Sequence, residues 1–201
     1  MKKVLVFVAL MVLNLHGFGQ LTVNNAVTPT QLVNNFLLGA GVTATNITYT
    51  GAAISRSSFN CTGGCNLGVP NGVFLSSGEA IAPTGPASYH HSTDVGSAGD
   101  AQLDAIVTPR LTEDASVLEF DFTVASDSVK FEYVFGSEEY NDYANTNFND
   151  VFAFFISGPG ITGSQNIALI PGTTTPVSIN TVNNGNSAGV STGPCLNCQY
   201  F

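Results

Sequence analysis

The chain has 201 residues, with 5 Lys and Arg against 14 Asp and Glu and a formal net charge of −9. Phosphate binding requires clustered Lys and Arg, so this charge balance argues against nucleic acid as a partner. Gly, Thr, Asn, Val and Phe are frequent and only 9% of the residues are charged, which is typical of a β protein with one domain and a sizeable core.

The N-terminus has the pattern of a secretory signal peptide. Lys2 and Lys3 precede an apolar run over residues 4–13, and small residues follow it just before Gln20. The run is shorter than the roughly 20 apolar residues that a membrane span needs. We therefore predict a signal peptide over residues 1–19 and a mature domain over residues 20–201 that has no membrane-spanning segment and is secreted or displayed at the cell surface.

One short helix is predicted near the start of the mature domain. Thr28 is a suitable N-cap, Pro29 fits the first helical position, and Gln31 completes a capping box. Apolar residues follow at helical spacing, and Gly39 and Gly41 are expected to end the helix. Its predicted role is to cover one end or edge of a sheet.

Strand and turn patterns occupy the rest of the chain. Apolar and charged residues alternate with period two on both sides of a turn near Asp127, which predicts an antiparallel hairpin between Val117–Thr123 and Val129–Phe135. Val151–Ile156 has no such alternation and is predicted to be a strand buried on both faces.

Weaker strand patterns complete the fold prediction. They cover Asn46–Thr50, Gly72–Ser77, Ile167–Ile170 and Val177–Asn180, the last two separated by a turn at Pro171 and Gly172. Many short strands joined by Gly and Pro turns predict an all-β fold, an antiparallel, jelly-roll-like β-sandwich with one short N-terminal helix.

The four cysteines form two close pairs, Cys61 with Cys65 and Cys195 with Cys198. Four thiolates could hold zinc, but thiols outside the cytoplasm are normally oxidised. We therefore favour disulfides, most simply one within each pair, while cross-pairing remains open.

The segment Ser137–Gly158 combines a run of oxygen-bearing side chains with an apolar strand, and it contains no Lys or Arg. Calcium prefers six to eight oxygen ligands, so the segment predicts an irregular calcium loop. The spacing does not fit an EF-hand. The alternative is that Asn and Asp serve turn geometry through hydrogen bonds to the backbone. The candidate metal ligands are Glu138, Glu139, Asp142, Asn147, Asn149 and Asp150.

Two tyrosines in the same segment, Tyr140 and Tyr143, are candidates for a stacking surface that binds a ligand beside the metal. The sequence has no nucleophile elbow, phosphate-binding loop or HExxH motif. Glu138 and Glu139 are adjacent, so on a strand they would point to opposite faces, which suits them poorly for paired-carboxylate glycoside hydrolysis. We predict no enzyme.

Several motifs occur in an order that resembles the choice-of-anchor L domain. They are GVFLSSGEA from Gly72, GDAQLD from Gly99, DASVLEFDF from Asp114, VKFEYVFGSEEYNDY from Val129, FNDVFAFFISGPG from Phe148 and NIALIPGTTTPVSINTVN from Asn166. The resemblance covers roughly Thr28 to Phe201. It implies an exported bacterial surface protein, especially of gliding, type IX secreting Bacteroidota, whose domain is joined to various sorting or anchoring signals. It transfers no catalytic residues, and it implies a domain that is incomplete at its C-terminus.

Together these patterns predict a secreted or cell-surface binding or adhesion module, stabilised by calcium, that recognises a glycan or a protein. The alternative is a structural spacer of a larger surface protein. An extracellular hydrolase is a third hypothesis, which is disfavoured because the sequence shows no pair of nucleophile and base.

Overall fold

The computed structural model describes residues 20–63, 65–81, 93–140, 143–187, 190–191 and 195–201. The predicted signal peptide and the predicted metal ligand Asp142 lie outside the described residues. In chain order the elements are β1 (Gln20–Asn24), α1 (Pro29–Gln31), a π-helical segment (Leu32–Leu37), β2 (Val42–Thr50), a 3-10 turn (Ala53–Ser55), β3 (Arg56–Thr62), β4 (Asn71–Leu75), α2 (Ala101–Val107), β5 (Val117–Val124), β6 (Phe155–Ile156), β7 (Gln165–Asn166), β8 (Asn186–Ser187), β9 (Val190–Ser191) and a C-terminal 3-10 turn (Cys198–Tyr200).

All the described sheets are antiparallel and the helices are short, which confirms the all-β prediction. β3 is the central strand of a three-stranded sheet, with β1 on one side and β4 on the other. Its pairing with β1 runs from Gln20 opposite Thr62 to Asn24 opposite Ser58. The other described sheets are two-stranded and pair β2 with β5, β6 with β7 and β8 with β9.

The N-terminal helix begins as the sequence predicts. Thr28 Oγ1 accepts from the Gln31 N–H at 3.2 Å, and Gln31 Oε1 accepts from the Thr28 N–H at 2.9 Å, which completes the capping box. The helix then widens, since the Leu38 N–H donates to Val33 O at 3.0 Å, five residues back. Leu32 and Val33 are fully buried and contribute to the core beside β3 and β4.

The predicted hairpin is wrong, because β5 pairs with β2 rather than with Val129–Phe135. Side-chain bonds reinforce the distant pairing: Thr43 and Thr123 hydroxyls meet at 2.7 Å, and Asn46 Nδ2 donates to Asp121 at 2.6 Å. Residues 128–137 form no strand. The rings of Phe122 and Phe131 still lie 6.3 Å apart across the turn, so the two segments are neighbours without a ladder.

Residues 131–135 lie instead along the segment that follows Asp150. Phe131 contacts Phe154 at 4.4 Å between ring centroids, and Tyr133 contacts Phe152 at 4.9 Å. Moving from Phe131 to Tyr133 shifts the contact partner from Phe154 back to Phe152, so the two segments run antiparallel. Val151–Ile156 is half-buried throughout and only its last two residues form a strand, which corrects the prediction of a strand buried on both faces.

A second apolar cluster lies in the C-terminal part of the described chain. Ile170, Val177 and Val182 are buried together, and Phe135 packs against them. The predicted turn at Pro171 and Gly172 is present between these segments, closed by the Thr173 N–H, which donates to Ile170 O at 3.0 Å. The Val182 carbonyl of this cluster accepts a hydrogen bond from the Tyr140 hydroxyl at 2.6 Å.

Both predicted disulfides are present. Cys61 is bonded to Cys65 and Cys195 to Cys198, with Cα atoms 5.2 Å and 5.7 Å apart. Both Cα–Cα distances lie in the usual range for a disulfide.

Helix α2 was not predicted. Asp100 Oδ1 caps it by accepting from the N–H groups of Gln102 and Leu103 at 2.9 and 3.1 Å. The acidic stretch that contains it is held by local bonds as well. Asp104 accepts from the Thr112 N–H at 2.6 Å and from the Thr112 hydroxyl at 2.7 Å, and these two bonds lower the pKa of the Asp104 carboxyl.

Candidate functional site

A hydrogen bond between its two end residues closes the acidic loop, Ser137–Asp150. The Ser137 hydroxyl donates to Asp150 Oδ2 at 2.5 Å, and the same hydroxyl oxygen accepts from the Glu139 N–H at 3.0 Å. A compact surface loop whose ends are tied together is a common way to present binding residues on a rigid scaffold. Within this loop, residues 141 and 142 lie outside the described residues.

Asn180 fastens the middle of the acidic loop to the C-terminal part of the chain. Its Oδ1 accepts from the Asn145 N–H at 2.6 Å, its Nδ2 donates to Thr146 O at 2.9 Å, and its own N–H donates to Asn149 Oδ1 at 3.2 Å. Asn145 has φ 63°, a left-handed conformation that Asn tolerates better than most residues. The loop shape is therefore set by side-chain amides.

Asn183 extends the same network into the interior. Its side chain is fully buried, and it donates to Ile179 O at 2.9 Å and to Asn145 Oδ1 at 3.1 Å while accepting from the Gly185 N–H at 2.9 Å. Its backbone also pairs with Leu196, with N···O distances of 2.9 and 3.1 Å. Neither Asn180 nor Asn183 is predictable from the sequence, because neither belongs to a motif that marks a buried amide.

Tyr140 is held by its hydroxyl and by its ring. The hydroxyl donates to Val182 O at 2.6 Å, and the ring meets those of Phe135 and Phe201 edge-to-face at 6.3 and 5.1 Å. Burial, assisted by the negative charge of Asp150, raises the pKa of Tyr140 to about 12. The structure thus places this predicted ligand-binding residue in a packing role at the base of the acidic loop.

Tyr143 and Phe148 of the acidic loop form a pair that we call the aromatic tip. Their rings meet edge-to-face at 5.0 Å, and Phe148 is 60% exposed. Thr146 fixes their spacing, since its hydroxyl donates to Tyr143 O at 2.6 Å and accepts from the Phe148 N–H at 3.2 Å. The sequence predicted Tyr143 as a contact residue but missed Phe148.

The five predicted metal ligands that the structure describes differ in their surroundings. Asp150 accepts from Ser137, Asn149 accepts from the Asn180 N–H, Asn147 and Glu138 are exposed, and Glu139 is half-buried. Among the described residues, no three His, Cys, Asp or Glu side chains lie together in a way that could hold a metal ion. Two candidate oxygens, Asp150 Oδ2 and Asn149 Oδ1, accept hydrogen bonds within the chain, as residues that shape a turn do.

A groove of about 280 Å³ lies elsewhere, between β2, β5 and the start of α2. Its lining is made of small and polar residues and includes the carboxylates of Asp100 and Glu119 but no aromatic ring. Asp100 is occupied there as the cap of α2. The groove thus lacks the exposed aromatic side chain that the aromatic tip has in Phe148.

Comparison with known proteins places the chain by family. A family model described as the choice-of-anchor L domain matches residues 22–201. The search of curated proteins found no match, and the search of solved structures found none either. Among the helices in the described ranges, none has the length and apolar character needed to cross a bilayer.

Proposed function

Because this chain belongs to the choice-of-anchor L domain family, a family of surface-associated modules, we propose that it is a recognition or adhesion module that binds a glycan or a protein. The ligand lies on the aromatic tip of the acidic loop, Tyr143 and Phe148. Choice-of-anchor L domains are not known as enzymes, and we assign no catalytic residues.

The exposed ring of Phe148 is the observation that carries this proposal. Burying a Phe side chain contributes about 1.5–3 kcal/mol relative to leaving it in water, and Phe148 keeps 60% of its surface exposed. Aromatic rings dominate the energetics of binding surfaces. Thr146 lies between the two residues in sequence and bonds to the backbone of each, which reduces the entropy cost of ordering the loop on binding.

The export route and the finer architecture belong to the same proposal. We propose that residues 1–19 act as a signal peptide, that the sheets pack as a β-sandwich, and that the protein is displayed by a type IX secreting bacterium of the Bacteroidota. The apolar start of the chain and the two disulfides support export. Mass spectrometry of the exported protein tests the first step, and an N-terminus other than Gln20 would contradict the cleavage site.

Calcium is a further part of the proposal. Exposed Glu138 and Asn147 supply oxygens on the acidic loop, and Asp142 lies between them in sequence. These are hard ligands of the type that calcium prefers. Their role would be to stiffen the loop behind the aromatic tip, and the melting experiment described in the Discussion tests it.

The experiment that tests recognition compares the wild-type protein with Phe148→Ala on glycan and protein arrays, with calcium and with EDTA. Leu111→Ala is the matched control, because Leu111 is 79% exposed and lies outside the acidic loop. We expect a ligand whose signal is lost in Phe148→Ala and kept in Leu111→Ala. Ligands that bind both variants equally, or no ligand at all, would contradict the proposal.

A structural spacer is the second candidate. Two predicted site residues are hydrogen-bonded within the chain, which favours this function. Tyr140 donates to Val182 O, and Asn149 accepts from the Asn180 N–H. In a spacer these bonds would serve rigidity alone. The array experiment separates the two functions, because a spacer has no ligand that depends on Phe148.

A further inference from the structure

The disulfide between Cys195 and Cys198 closes a turn, Cys195–Phe201, that we call the cystine turn. Inside it, Asn197 has φ 52°, a left-handed conformation, and its carbonyl accepts from the Tyr200 N–H at 2.9 Å. The Phe201 N–H donates to Cys198 O at 3.1 Å. A disulfide over so few residues restricts the backbone between its cysteines, so it helps to fix the conformation of this turn.

One contact of the cystine turn leads to the acidic loop through Asn183. Leu196 and Asn183 exchange two backbone hydrogen bonds of 3.1 and 2.9 Å, and Cys195 Sγ lies 3.3 Å from Asn183 O. The buried side chain of Asn183 in turn donates to Asn145 Oδ1 at 3.1 Å. Displacing Leu196 would therefore disturb the residue that bonds the middle of the acidic loop.

Further contacts reach the same loop by other routes. Asn197 Nδ2 donates to Thr181 O at 2.7 Å, and Thr181 directly follows Asn180, whose side chain bonds the acidic loop at residues 145 and 146. The Phe201 ring meets that of Tyr140 edge-to-face at 5.1 Å, and Tyr140 belongs to the acidic loop. The conformation of the cystine turn is thus coupled to the supports of the acidic loop by separate contacts.

The two disulfides differ in their exposure and in what else holds them. Cys195 and Cys198 are both exposed, whereas Cys61 and Cys65 are half-buried. Cys61 is also part of β3, where it pairs with β1, and its N–H donates to Pro70 O at 2.8 Å. The β ladder holds Cys61 independently of its disulfide, while a reagent in solution reaches the sulfurs of the cystine turn more readily.

We propose that the Cys195–Cys198 disulfide is a redox-operated clasp that regulates ligand binding at the aromatic tip. With the disulfide formed, the cystine turn is fixed and supports the acidic loop. With both cysteines reduced, the turn opens locally and the acidic loop loses these supports. The inference rests on the proposed function, because it concerns the regulation of the same surface.

The switching step is thiol–disulfide exchange with an external dithiol. A thiolate of that dithiol attacks one sulfur of the Cys195–Cys198 disulfide and forms a mixed disulfide, and the other cysteine leaves as a thiolate. The second sulfur of the external dithiol then attacks the mixed disulfide and releases the first cysteine. Two electrons pass from the external dithiol to the protein, its two protons go to the two cysteines, and the dithiol becomes a disulfide. The reverse reaction closes the clasp.

The test uses the purified protein and needs no ligand for its first readouts. Samples are treated with dithiothreitol for increasing times, free thiols are trapped with iodoacetamide, and mass spectrometry gives the reduced fraction of each cysteine pair. Hydrogen–deuterium exchange is measured on oxidised and reduced wild type and on the double variant Cys195→Ser, Cys198→Ser. The double variant Cys61→Ser, Cys65→Ser is the matched control, since it removes a disulfide of similar span outside the cystine turn.

We expect dithiothreitol to reduce the exposed disulfide, Cys195–Cys198, about 10-fold faster than Cys61–Cys65. Its reduction should speed exchange in the acidic loop about 10-fold, because the short loop that it closes is no longer restricted. Cys195→Ser, Cys198→Ser should exchange as fast without reductant, and the control variant should leave the acidic loop unchanged. On the glycan and protein arrays, signals that depend on Phe148 should weaken in Cys195→Ser, Cys198→Ser.

Equal exchange of the acidic loop in oxidised and reduced wild type would overturn the inference, and so would slower reduction of Cys195–Cys198 than of Cys61–Cys65. Faster exchange with unchanged Phe148-dependent array signals would also overturn it, because the clasp would then not regulate binding. Failure of the proposed function has a different signature, namely arrays on which the oxidised wild-type protein shows no ligand that depends on Phe148.

Discussion

Replacing Asn183 with Ala tests whether buried amides hold the acidic loop. The Asn183 side chain is fully buried and makes three bonds of 3.1 Å or less, to Ile179 O, Asn145 Oδ1 and the Gly185 N–H. A buried hydrogen bond contributes about 1 kcal/mol net, so Asn183→Ala should lower the free energy of unfolding by about 3 kcal/mol. For a domain of this size that corresponds to a fall in Tm of about 6–12 °C.

Differential scanning calorimetry or urea unfolding followed by circular dichroism measures this loss. Asn147→Ala is the matched control when both variants are measured in EDTA, which removes any calcium, because Asn147 lies in the acidic loop and is exposed, and substitutions at such sites change stability by about 0.5 kcal/mol or less. Equal losses in the two variants would refute the argument, as would an Asn183→Ala protein as stable as wild type.

Four further predictions concern other parts of the molecule. Tyr140 has a pKa raised by burial from the ordinary value near 10 to about 12, so its stabilising contribution should be intact below pH 10 and lost as the pH rises towards 12, because unfolding then releases a proton. Tyr140→Phe should remove the phenol that ionises at the highest pH in an ultraviolet titration, and an unchanged titration curve would contradict this. The Tm should be lower in EDTA than in calcium. The difference should correspond to about 2.7 kcal/mol of stability at a calcium concentration roughly 100 times Kd, and an unchanged Tm would contradict calcium binding. Thr28→Ala should cost about 1 kcal/mol in urea unfolding through loss of the cap on α1, whereas Thr30→Ala should not. Gly99→Ala should reduce soluble yield and Tm sharply, because a Cβ there would lie 1.9 Å from Thr112 O, and a normal Tm would contradict the close approach.

Local sequence patterns predicted local structure correctly at two places. The capping box of Thr28 and Gln31 forms as predicted, and each disulfide joins cysteines that are three or four residues apart. Both features depend on residues close together in the chain, so their geometry is restricted before the fold is known. Helix α2 had a comparable signal, with Asp100 as its cap, but Gly and Ser around it resemble a loop.

The choice of strand partner could not be read from the same patterns. The period-two alternation correctly marked Val117–Thr123 as a strand, but alternation states only which residues share a face. The partner of β5 is β2, whose Thr43 and Asn46 bond to residues 80 and 75 positions away. Such pairing depends on the energetics of the whole fold, which one sequence does not display.

The acidic loop shows the same limit for site prediction. The sequence left metal ligation and turn geometry open for its Asn and Asp residues, and the structure places Asn145 and Asn149 in hydrogen bonds with Asn180. Asn180 and Asn183 lie more than 25 residues beyond Asp150 in the sequence. Nothing local distinguishes an asparagine that will be buried from one in an exposed turn.

The most direct test of recognition at the aromatic tip is hydrogen–deuterium exchange of the protein with and without a ligand that binds it on the arrays. The account predicts that this ligand slows exchange in the acidic loop, Ser137–Asp150, and that Phe148→Ala abolishes this protection. Protection confined to other segments, or protection of the acidic loop that persists in Phe148→Ala, would contradict it.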